Sequence, residues 1–140
     1  MYLGRMLAES ADVFPRGVMV LGIEAAIDFD ARQRGEDRQA VDEKTGLPIW
    51  NLTGIDMRGL DPDERAKGFR GSPEVKVRVL SQSEPEVPRQ QSKGMGAVVE
   101  FVDLMVTPYL DTDRCRGEGR RCRAQLKYSL RALGIRPFKG

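Results

Sequence analysis

Asp61, Asp63 and Glu64 are the tightest group of carboxylates in the chain, and carboxylates so spaced are the ligand type that a hard cation takes. The same residues are explained without an ion. Asp61 fits a helix N-cap, Pro62 the first helical position, and Asp63 and Glu64 a first turn where negative charge meets the helix dipole. The second reading is preferred. Asp111 and Asp113, flanked by arginines, have the look of turn residues. The glycine pairs Gly94/Gly96 and Gly117/Gly119 lack the residues that would make them phosphate or dinucleotide loops.

Histidine is absent from all 140 residues. That removes the commonest general base, the usual serine and cysteine triads and most zinc sites. Cys115 and Cys122 cannot complete a tetrahedral metal site alone. They are expected as free thiols in a reducing compartment, with a disulfide left open if residues 115–122 form a hairpin tip. No catalytic residue, metal site or cofactor is expected.

The cations carry more information than the acids. The net charge is only +2, but residues 1–110 hold 14 Lys/Arg against 18 Asp/Glu, while residues 111–140 hold 9 against 3. A cationic end on a mildly acidic body is the charge pattern of a polyanion-binding face, although a solvated basic hairpin would also produce it. Phosphate backbones need cations along a surface the strand can follow, and single strands add aromatic platforms for stacking. The candidate backbone contacts are Lys76 and Arg78 on one strand, Arg123, Lys127 and Arg131 on another, and Arg116, Arg120 and Arg121 in the arginine-rich tip at residues 114–123. Trp50 and Phe69 are the candidate stacking rings, with Tyr109 beside them; Trp50 also suits the core, and Phe69 a loop anchor. Tyr128 and Phe101 match inward positions.

These side chains need strands to hold them. Glu74 to Leu80 alternates strictly, with Val75, Val77 and Val79 on one side and Glu74, Lys76 and Arg78 on the other. That is the period of a half-buried strand, and Pro73 suits its entry. Residues 18–29 predict a first strand flawed at Gly22, where a bulge or strong bend is expected. Residues 47–56 predict a second, 97–110 a fourth bent at Asp103 or Pro108, and 122–131 a fifth that Gly134 and Pro137 end. Residues 30–46 are a connection too polar for the core, residues 81–96 a surface loop, and Gly68 closes the short helix near 61–66.

Five strands, long loops and one short helix predict a mainly β fold, a five-stranded antiparallel Greek-key barrel of the OB type. Residues 14–140 form that single domain and residues 1–13 a loosely docked arm. The longest apolar run, Val18 to Ile23, is far too short to span a bilayer, so no membrane partner is expected. The N-terminus lacks the features of a secretory signal, and the cytoplasm is the expected compartment. Single-stranded nucleic acid is the expected partner, and a homodimer or other oligomer stays open.

The stretch Asp42-x-x-Thr45-Gly46-x-Pro48-x-Trp50, followed by Val75-x-Val77-x-Val79, a proline-containing loop and Val99-x-Phe101, resembles small proteins of actinobacterial integrative plasmids. Those are labelled activators of replication, integration and excision. The strand order and the glycine-proline entry to the second strand are also similar to the small OB-type single-stranded DNA-binding proteins of filamentous phages. The likeness covers roughly residues 18–131; the N-terminal arm and the Cys115–Cys122 tip have no counterpart. It implies a DNA-maintenance context and assigns no residue a role. The reading it supports is a non-enzymatic single-stranded DNA-binding protein of a mobile element. The alternative is an accessory or transcription-activating protein that works through protein contacts.

Overall fold

The computed structural model describes residues 4–36, 38–68, 73–88, 96–111 and 125–139. In chain order they form β1 (Met6–Ala8), α1 (Ser10–Val13), β2 (Val18–Ala25), α2 (Phe29–Gln33), β3 (Ile49–Asp56), a 3-10 turn (Met57–Leu60), α3 (Pro62–Ala66), β4 (Glu74–Leu80), β5 (Val98–Val102), β6 (Leu104–Asp111), β7 (Gln125–Ala132) and β8 (Gly134–Pro137). The fold is mainly β, as its alternating segments predict. Its eight strands make one curled sheet in the order β1-β6-β7-β4-β3-β2-β5-β8.

The count of five strands is corrected for three local reasons. The segment 97–110 breaks at Asp103, whose φ of 50° lies in the left-handed region that aspartate tolerates better than most residues. β5 and β6 therefore lie one residue apart in sequence yet near opposite flanks of the sheet, and the chain between them joins those flanks. Gly134 opens a further strand rather than ending the last one, since β8 pairs with β5 through Phe101–Ile135. Met6–Ala8, within the segment expected as a loose arm, pairs antiparallel with β6. The sheet is not wholly antiparallel either, because β4 and β7 run parallel, joined at Arg78–Arg131 and Val79–Ala132.

Alternation along β4 becomes burial as expected. Val77 and Val79 are fully buried while Lys76 and Arg78 are exposed. The two valines pack with Val18, Leu52, Val99, Phe101, Leu104, Phe14 and Ala132, each large side chain so buried contributing about 1.5–3 kcal/mol. The Phe14 and Phe101 rings meet at 5.6 Å. β2 and β3 approach closely at Gly54, where a Cβ would stand 2.5 Å from Val18 Cγ1 and 2.7 Å from the Met19 carbonyl oxygen. The register of these strands steps between Val20–Gly54 and Gly22–Thr53, leaving Leu21 bulged and exposed. This is the flaw that Gly22 predicts.

Two polar ties hold the N-terminal segment down. The Phe101 backbone N–H donates to the buried Ser10 Oγ at 2.9 Å. Arg58 donates to the Val13 carbonyl at 3.1 Å and to the Asp56 carboxylate at 2.7 Å. The pairing with Asp56 raises the Arg58 pKa above its ordinary value, against the opposing effect of burial. The helix after β3 forms as its caps dictate, with the Asp63 N–H donating to Asp61 at 2.9 Å. Arg16 lies 3.6 Å from Asp61 and 3.7 Å from Glu64, so these acids already face a cation. Among the described residues, no helix is long and apolar enough to cross a membrane.

Candidate nucleic-acid interface

Strand pairing assembles one wet face across β2, β3, β4, β7 and β6. Arg78 stands opposite Asn51 and Lys76 opposite Thr53. Glu24 extends the row beyond Asn51. On the other side of β4, the parallel register brings Arg131 beside Arg78. β6 adds Tyr109 opposite Lys127 and, beneath the face, the buried Thr107 opposite Ser129.

Before Arg78 and Arg131 the two parallel strands are no longer paired, and a cleft of about 420 Å³ opens there. Lys76 and Arg78 line one wall, Tyr128 and Ser129 the other, with Asn51, Thr53 and Tyr109 around them. The side chains of Lys76 and Arg78 make no hydrogen bond or ion pair with another described residue. Exposed cations that are not neutralised by neighbours keep their donors for an incoming anion.

Arg131 is engaged differently. Its guanidinium donates to Asp42, as does that of Arg5. Asp42 is buried, contrary to the expectation that residues 30–46 are too polar for the core. The local reason is a turn. Asp42 accepts from the Thr45 N–H at 3.0 Å and the Thr45 hydroxyl at 2.8 Å, and the Gly46 N–H donates to the Asp42 carbonyl at 2.8 Å, with Gly46 at a φ of 72°. The Arg5 hydrogen bonds, helped by Thr45, hold the Asp42 carboxyl well below the usual carboxylate range despite burial. Burial, followed by the charges of Arg5 and Arg78, pushes the Arg131 guanidinium below its ordinary value.

Of the sequence candidates, Lys76, Arg78 and Lys127 lie exposed on this face, and Arg131 reaches it while bound to Asp42. Trp50 lies on the other side of the sheet, opposite Val79. It is half-buried against the core, and its indole N–H donates to the Ser81 carbonyl at 3.0 Å. Phe69, Arg116, Arg120, Arg121 and Arg123, with Cys115 and Cys122, fall outside the described residues. Tyr128 is corrected. Its position in the alternation is that of a core residue, but it sits where β7 has run past the core, and it is 57% exposed. Glu24, Asn51, Thr53, Tyr128 and Ser129 are the polar groups of this cleft that the sequence did not nominate; Tyr128, two residues after an exposed Leu126, carried no local sign of its exposure.

No protein-family model, curated protein or solved structure matches the chain.

Proposed function

We propose that this protein binds single-stranded nucleic acid in the cleft between β4 and β7, by contact rather than by catalysis. The observation that carries the reading is the meeting there of two exposed cations whose side chains pair with no described residue, Lys76 and Arg78, with two tyrosines, Tyr109 and Tyr128, and a single carboxylate, Glu24, on the lining. Cations follow the phosphates, and rings accept any base on their faces. The fold supports it as well. β5-β2-β3-β4 stand in the spatial order of a Greek key, the fourth segment returning beside the first. Taking β5 and β6 as one bent segment and setting aside the short β1 and β8 leaves five longer segments, the number in an OB-type barrel, and the face of that barrel's second and third strands binds oligonucleotides. Those strands are β3 and β4. The resemblance, over roughly residues 18–131, to plasmid replication, integration and excision activators adds a mobile-element context to this reading.

The test is a titration of labelled oligo-dT against duplex of equal length at two salt concentrations. Single strand should bind more tightly, with log affinity falling by about 0.7 per phosphate neutralised for each unit of log salt. A variant with Arg116, Arg120 and Arg121 changed to serine should show a slope shallower by about 0.7 for each arginine that meets a phosphate. Equal affinity for both forms overturns the cleft.

A protein-contact reading is favoured by a different surface. Ile27, Phe29 and Val41 are 49%, 75% and 51% exposed around a hollow that also includes Asp28 and Asp30. Acid beside apolar surface repels a phosphate backbone and suits a partner presenting apolar and basic groups. Binding to neither oligonucleotide would move this reading to first place.

A further inference from the structure

On the far side of Arg78 from the cleft lies a second hollow, of about 450 Å³. Arg5, Lys44, Arg78 and Arg131 line it, with the hydroxyl-bearing Thr107 and Ser129. Its acids are Glu43, on the lining, and Asp42, which is buried and bonded to both Arg5 and Arg131. Four cations therefore face two anions. Asp42 answers one charge of the Arg5–Arg131 pair and fixes both guanidiniums in place. Each guanidinium has five N–H donors, of which Asp42 takes two from Arg5 and one from Arg131.

We infer that this hollow is a preorganised site for the phosphate group of a nucleotide-sized ligand. Three guanidiniums around one buried carboxylate repel one another, and a second anion would relieve that repulsion. Burial is the main cause of the lowered pKa of Arg131, and the charges of Arg5 and Arg78 add to it. Planar guanidiniums match phosphate oxygens in a forked geometry, and hydroxyls serve as neutral donors beside them. The volume falls in the range of small-ligand pockets, larger than a bare phosphate needs. Val41 and Ile49 on the lining give the rest of such a ligand an apolar side. The phosphate belongs either to a bound strand or to a free nucleotide. The site shares Arg78 and Ser129 with the cleft but does not rest on the single-strand reading.

The experiment is calorimetric titration of the full chain with thymidine 5′-monophosphate, pyrophosphate and thymidine, on wild type and on Lys44→Gln/Arg78→Gln. Both substituted residues are exposed, and a thermal melt checks that the variant is folded. The two phosphate compounds should bind and thymidine should not, and the variant should weaken the phosphate compounds by about tenfold or more. Competition of the monophosphate with labelled oligo-dT would assign the phosphate to a strand; simultaneous binding would assign it to a free nucleotide. Equal binding of thymidine and its monophosphate, no binding of either phosphate compound, or an unchanged affinity in the folded variant overturns the site. Oligo-dT binding without a phosphate site would leave the cleft standing alone, and phosphate binding without oligo-dT binding would leave this site standing without the cleft.

Discussion

Arg131 and Asp42 are 89 residues apart in sequence and joined by a hydrogen bond inside the fold. Arg5 closes on the same carboxylate from the other end of the chain, so one acid ties β7 and the N-terminal segment to the turn before β3. Replacing Asp42 by asparagine keeps the shape but leaves two largely buried guanidiniums without their counter-charge. The expected loss of stability is about 3–5 kcal/mol, read from the urea midpoint. A loss no larger than that of an exposed substitution would show that the clasp is decorative.

The same carboxylate sets an acid limb. Its folded pKa is depressed by Arg5, so between folded and unfolded values the unfolded chain binds more protons, and stability rises with pH. The contribution is complete above the unfolded aspartate value of about 3.9 and is lost as pH falls through the depressed folded value. Urea midpoints measured from about pH 5 downward should fall more steeply in wild type than in Asp42→Asn. Parallel curves would exclude Asp42 as the source.

The two sides of β4 should separate stability from binding. Val77→Ala opens a cavity in the core and should cost about 1–3 kcal/mol, with little direct effect on affinity. Lys76→Ala with Arg78→Ala should leave the melting temperature nearly unchanged and weaken oligo-dT. A larger drop in melting temperature for the surface pair would contradict the burial of this strand.

Tyr128 offers a test that charge does not confound. Tyr128→Ala should weaken oligo-dT by about 1–3 kcal/mol if the ring stacks on a base. Tyr128→Phe should retain most of the affinity, and the exposed position predicts a stability change within about 0.5 kcal/mol for either variant. An alanine variant that binds like wild type would confine recognition to the cations.

What the sequence discloses here is what local chemistry governs. The faces of β4 follow from its alternation, α3 from Asp61 and Pro62, the bulge from Gly22 and the bend from Asp103, each decided within a few residues. Pairing partners distant in sequence decide the rest. Met6–Ala8 is too short to announce a strand until β6 lies beside it, and the strand begun by Gly134 exists because β5 offers an edge. Arg131 looks like any surface cation until Asp42 is placed next to it. Asp42 stands in a run of charges that hides its burial, although its spacing from Thr45 and Gly46 is that of an aspartate-headed turn and was the signal available. Tyr128 misleads because alternation reports which side a residue takes, not whether the core extends that far.

The parallel junction of β4 and β7 has a consequence for when parts of the sheet open. The ladder of β3 with β4 runs from Ile49–Leu80 to Ile55–Glu74, and that of β6 with β7 from Met105–Arg131 to Asp111–Gln125. Between these long ladders the seam is paired, among the described residues, only at Arg78–Arg131 and Val79–Ala132. Free energies of local opening vary across a structure with the bonds that must be broken, so amide hydrogens along this seam should exchange with solvent sooner than those inside either ladder. A strand lying across the cleft would touch both banks of the seam at once. Its arrival would then be recorded as slowed exchange at Arg78 and Arg131, with the two halves of the sheet behaving as one unit instead of two.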